Sequence, residues 1–154
     1  MEDDFEKLAN WLGPLIKSLE PKAQRQLSLS LARTMRDQNK DRIKRQVSPD
    51  GQSFEPKKRG PNGRLRRRNG IRSKIMFKKL RTAKYMKAEA TAEGAVVRFA
   101  GRAARIANVH HHGLRERLGK NRTIYDFPER ELLGFAKSDI AALERLILSH
   151  LDKL

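Results

Sequence analysis

The 154-residue sequence predicts an α+β fold: helices packed on a small antiparallel β-sheet, with a long basic loop. Three patterns carry that expectation. Apolar residues recur at three- and four-residue steps near both ends of the chain, the period of helices with one buried face. Residues 87–91 and 95–100 flank Ala92-Glu93-Gly94, the arrangement of a β-hairpin closed by a glycine-containing turn. Between the helical start and the hairpin, residues 51–70 are polar and interrupted by Pro56, Gly60, Pro61, Gly63 and Gly70. They read as a flexible basic loop inside a single domain spanning residues 1–154.

The first helix is set by Phe5, Leu8, Leu12, Leu15, Ile16 and Leu19, with Trp11 bordering the stripe. Glu2, Asp3 and Asp4 complement the positive end of its dipole, and Gly13-Pro14 is expected to break or kink it. Pro21 suits the first turn of a longer helix in which Ala23, Leu27, Leu31, Met35, Ile43 and Val47 recur at four- or eight-residue steps. Arg36, Lys40, Arg42, Lys44 and Arg45 are assigned to its outer face, and Ser48-Pro49-Asp50-Gly51 to the turn that ends it. Ile75, Met76, Leu80 and Ala83 predict a short basic helix over residues 71–86. After the hairpin, Ile106, Ala107 and Val109 lead into His110-His111-His112-Gly113 and then a charged loop that reaches Tyr125-Asp126-Phe127-Pro128. The last helix takes Ser138 as its cap and buries Ile140, Leu143, Ile147, Leu151 and Leu154, with Leu146 beside them. The predicted order is two helices, the loop, a helix, two strands and a final helix.

Charge narrows the function. Lys and Arg number 35 against 18 Asp and Glu, a net of +17, so a polyanionic or acidic partner is expected. Residues 40–87 alone hold 18 Lys and Arg against 3 acidic residues, a net of +15. Lys57, Lys58, Arg59, Arg64, Arg66, Arg67 and Arg68 are therefore the candidates for contact with DNA or an acidic surface. Phe54, Phe77 and Tyr85 are the only aromatics between residues 51 and 85, few for a reader that stacks bases. An electropositive assembly surface is favoured over a small basic nucleic-acid-binding protein, which stays as the alternative.

Other classes find little support. There is no Cys, hence no disulfide, thiolate metal site or Cys nucleophile. The start Met1-Glu2-Asp3-Asp4 is the reverse of a basic secretory leader, and no stretch approaches the roughly 18 apolar residues of a membrane span. A chain made and working in solution, without membrane contact, is expected. Three adjacent imidazoles at residues 110–112 point about 100° apart in a helix and to opposite faces in a strand, so they do not converge on one ion. No phosphate loop, nucleophile elbow or paired carboxylates are recognisable, so neither a cofactor nor catalysis is expected.

Four blocks occur in order: Ser48-Pro49-Asp50-Gly51; Met76-Phe77-Lys78-Lys79-Leu80-Arg81; Ile106-Ala107-Asn108-Val109-His110 with Gly113; and Pro128-Glu129-Arg130-Glu131-Leu132-Leu133-Gly134-Phe135. Together, over roughly residues 20–152, they resemble the tail-completion protein S, or virion morphogenesis, family of contractile-tailed phages. His111 and His112 stand where that family tends to carry a Gln and an aromatic residue, and Ser48 where an Asp is common. The resemblance implies a structural protein that completes the head-proximal end of the tail and enables stable head–tail joining as an oligomeric ring. Tail and neck proteins would be its partners, the virion tail its place, and the host cytoplasm its site of assembly.

The same resemblance marks His110, Gly113, Arg130, Leu132, Leu133 and Gly134 as assembly-interface candidates. Read from the residues, Leu132 and Leu133 are core and Gly134 permits a turn with positive φ. Arg130 either serves the fold or grips a carboxylate on a neighbouring subunit, as a planar guanidinium favours. In a ring threaded by the genome, Arg64, Arg66, Arg67 and Arg68 would line the lumen and hold DNA without reading its sequence.

Overall fold

The computed structural model describes residues 2–58, 75–120 and 123–153. Helix α1 (Glu2–Lys17) runs unbroken through Pro14, against the expected break. The proline removes one N–H from the ladder, while Leu12 and Ile16 keep both halves docked in the same apolar cluster. Helix α2 (Pro21–Arg45) opens on its proline and closes at Gln46, whose φ of 61° turns the chain left-handed. The Val47 N–H then donates to the Arg42 carbonyl at 3.1 Å, a closure usually built on glycine. The expected turn follows, with the Gly51 N–H donating to the Ser48 carbonyl and the Gln52 N–H to Asp50 Oδ1.

The first part of the predicted loop is tied down instead of free. Val47 and Ser53 form a bridge, the Phe54 N–H donates to the Gln46 carbonyl, and Phe54 is buried. One aromatic in a polar stretch suffices to anchor it, and averaging over the stretch hides that signal. Residues 59–70, the remainder of that loop, lie outside the described residues. Residues 75–77 are irregular and residues 78–85 successive turns where a helix was expected. Phe77 has a φ of 62°, which a helix cannot contain, and the Leu80 and Tyr85 N–H groups reach carbonyls three residues back. The segment still buries Met76 and Leu80, with Met86 buried at the start of the strand that follows.

Strands β1 (Met86–Thr91) and β2 (Gly94–Phe99) form the predicted hairpin, paired from Met86 with Phe99 to Thr91 with Gly94. Helix α2 packs across both strands. Two elements were not foreseen. Helix α3 (Arg102–His111) takes in the histidine run, and a second hairpin, β3 (Arg115–Leu118) with β4 (Thr123–Asp126), replaces the charged loop. That hairpin is almost wholly exposed, so it lacks apolar alternation; the cross-strand pair Arg115 and Asp126 holds it instead. Helix α4 (Lys137–Leu151) ends the fold.

The described residues hold two apolar clusters. One gathers Ile43, Phe54, Met76, Leu80, Met86, Ala103, Ala107 and Leu132 around the first hairpin. The other joins Leu12 of α1, Leu27 of α2 and Ile147 of α4. Helix α2 contributes to both. Among the described residues no helix is long and apolar enough to cross a membrane.

Candidate assembly site

Two polar networks lock the family-like segment after Pro128 onto the rest of the chain. The first is centred on Arg42, assigned from sequence to the outer face of α2 but buried. Asn39 shares the four-residue step of Met35 and Ile43, and Arg42 lies three residues beyond it, so both fall on the apolar stripe. Asp139 likewise falls on the step of Leu143 and Ile147 in α4. Polar residues on two apolar stripes were the available signal for a buried pair.

Arg42 donates through Nη1 to Asp139 Oδ2, through Nη2 to Asn39 Oδ1 at 2.8 Å, and to the Gly134 carbonyl at 2.6 Å. Asn39 Oδ1 also accepts the Gly134 N–H at 3.1 Å, and Asn39 Nδ2 donates to the Met35 carbonyl. Asp139 Oδ2 accepts the Ala136 N–H at 2.8 Å, so Asp139 opens α4 where Ser138 was expected to cap it. One carboxylate thus serves a helix end and a buried cation together.

The second network is centred on Arg130, which is 5% exposed. Its Nε donates to the Glu55 carbonyl at 2.8 Å, Nη2 to the Pro56 carbonyl at 3.3 Å, and Nη1 to His110 Nδ1 at 3.1 Å. The Arg130 N–H meets the His110 carbonyl at 2.7 Å. A guanidinium can only donate, so His110 Nδ1 is an acceptor and the neutral ring carries its proton on Nε2. His111 Nδ1 accepts the Leu132 N–H at 3.1 Å and is fixed in the same way. Burial, then the Arg130 charge, lowers the His110 pKa from 6.5 to about 4. Burial also lowers that of His111, helped by the neighbouring His112, and burial lowers that of Arg130.

Aromatic rings continue from this network. His110 meets Phe77 and Phe127 edge to face, each at 4.8 Å between ring centres, and Phe127 meets Tyr125 at 4.7 Å. Lys58 Nζ sits 4.9 Å over the Tyr125 ring. Together they wall a cleft of about 760 Å³ beside the second hairpin. Among the described residues no group of three or more His, Asp or Glu side chains could hold a metal ion.

The structure brings most of the interface candidates together inside the chain. His110 and Arg130 are linked directly, Leu132 is held by His111 and lies in the core, and Leu133 packs against that core. Gly113 has a φ of 59°, and a Cβ there would fall 2.9 Å from the Glu129 backbone nitrogen, so the absence of a side chain lets the two stretches of backbone lie this close. Gly134 is not in the expected positive-φ conformation. Its hydrogen is required by space, since a Cβ would lie 2.5 Å from Pro49 Cγ in the turn after α2. Of the basic candidates, Lys57 and Lys58 are exposed at the cleft, whereas Arg59, Arg64, Arg66, Arg67 and Arg68 lie outside the described residues.

The Arg130–His110 bond, the Gly134–Asn39 bond, the bonds of Gln46 to Met76 and the close approach of Gly134 to Pro49 join the blocks at 48–51, 76–81, 106–113 and 128–135 to one another or to the end of α2. Tail completion protein S of Escherichia phage P2 is 34% identical over 152 residues, covering 98% of this chain and 99% of that protein. No solved structure gives a significant match. The phage virion morphogenesis family matches residues 3–152, from the first turn of α1 to the end of α4. The chain therefore belongs to the phage virion morphogenesis family.

Proposed function

We propose that this chain completes the head-proximal end of a phage tail and enables stable head–tail joining, as a closed ring of copies contacting tail and neck proteins. The near full-length match to a tail completion protein carries the reading, because it spans every element that builds the two networks. The geometry supports a binding role. Polar groups of the segment 128–135 go into hydrogen bonds that fix the shape of the chain, as the Arg130 and Gly134 contacts do. His110, Gly113, Arg130, Leu132, Leu133 and Gly134 then act in assembly by holding the surfaces that neighbours meet. Lys57 and Lys58, with Arg59, Arg64, Arg66, Arg67 and Arg68, supply an electropositive surface for DNA or an acidic neighbour, held without sequence reading.

A ring suits this chemistry, since repetition around an axis turns modest contacts per copy into a closed junction. The test is complementation in extracts of cells infected by the phage lacking this gene. Electron microscopy should show separate heads and tails, and joined particles after the purified chain is added. Joined particles at the normal level without it would overturn the reading.

A further inference from the structure

We infer that the aromatic cleft between the end of α3 and the second hairpin is a self-association site, which receives the acidic first turns of α1 from a second copy. The inference rests on the reading that copies of the chain associate, and it names the surfaces by which they do so.

The cleft is built for an anionic guest. Lys57 and Lys58 stand at its rim, Arg130 at its floor, and Phe77, Tyr125 and Phe127 along its walls. Arg130 is almost fully buried, yet its side-chain hydrogen-bond partners are neutral: two carbonyls and a neutral histidine. Among the described residues no carboxylate forms an ion pair with it. The Glu55 carboxylate acts on Arg130 through space without pairing with it, so this buried cation still favours an incoming carboxylate. The ring faces are engaged by one another and by Lys58, so the cleft lacks the open platforms on which bases stack. An acidic protein segment fits it better than a nucleic acid.

The chain itself holds such a segment. On a molecule of net charge +17, Glu2, Asp3, Asp4 and Glu6 fall within the first six residues, with no basic residue before Lys7. Asp4 and Glu6 are exposed, and further along the same helix Trp11 is 57% and Leu15 44% exposed. An acidic end with an apolar flank thus meets a basic rim with aromatic walls. No residue of α1 lines the cleft of its own chain, because α1 packs into the other cluster with α2 and α4. The contact therefore joins two different surfaces of successive copies, the head-to-tail kind that closes into a ring when its rotation permits.

The test is a charge swap on the full chain, read as solution mass by light scattering across protein concentration at low salt. Lys57→Glu with Lys58→Glu should weaken self-association by roughly tenfold, and Asp4→Lys with Glu6→Lys by a similar factor. Mixing the two double variants should restore assembly between unlike chains, because the natural cleft of one meets the natural helix end of the other and the two reversed surfaces are again opposite in charge. The four-residue variant should recover most of the wild-type affinity. Wild-type oligomers that neither double variant weakens would overturn this site and leave the ring standing. Weakening without recovery in the four-residue variant would also overturn it. A wild-type monomer at every concentration would overturn the ring as well. Loss of binding to a short single-stranded DNA on Lys57→Glu with Lys58→Glu, with self-association intact, would make the cleft a nucleic-acid site.

Discussion

At Gly134 and His110 single atoms decide the outcome. Replacing the Gly134 hydrogen by a methyl forces Pro49 or Glu131 aside, in a place where Asn39 and Arg42 already hold the backbone from both sides. Gly134→Ala is expected to lower unfolding free energy by about 1–3 kcal/mol in urea titration. His110 is restrained by its protonation state. Its folded pKa of about 4 lies below the ordinary 6.5, so the unfolded chain takes up a proton that the native state refuses. Stability from this residue is complete above pH 6.5 and is lost as pH falls toward 4. The thermal midpoint should drop across that window, and His110→Asn should flatten the slope. His111, lowered in the same direction, leaves part of it in place. A slope unaltered by His110→Asn would assign the titration to other groups.

Between elements, the junction of α2 with α4 is a buried ion pair, and such a pair is more costly to halve than to remove. Arg42→Met alone leaves Asp139 charged and buried and should cost about 3–5 kcal/mol. Arg42→Met with Asp139→Leu should recover most of that, short of about 1 kcal/mol for the lost bond to the Ala136 N–H. A double-mutant cycle by chemical denaturation measures both figures. The elements legible in sequence were those with one clean period: α1, α2, α4 and the first hairpin. Helix α3 was missed because Ala103 and Ala107 bury a face too small to stand out, and the second hairpin because its strands are exposed and share one charge pair in water. The predicted helix at 71–86 failed in its described part because apolar spacing alone does not separate a helix from consecutive turns, and Phe77 settles that choice by its backbone.

Across the whole molecule, the sequence singled out segments that the structure knits together, but not the direction in which their side chains work. Arg130 was readable as important and turned out to knit residues 55–56 to α3. Arg42 was assigned to solvent and Asp139 went unnoticed, because a charge on an apolar stripe gives no sign of a partner 97 residues away. The apolar clusters sit at opposite stretches of α2, with Leu27 in one and Ile43 in the other, about 24 Å apart along the helix. Trp11 lies beside the first of these, on the open side of α1, and it is the single tryptophan of the chain. The protein therefore carries its own optical reporter. Indole in water emits at longer wavelength than indole among apolar groups, so a neighbour seated on α1 should move the emission to the blue as assembly proceeds. Joining through any other face should leave the colour where it was.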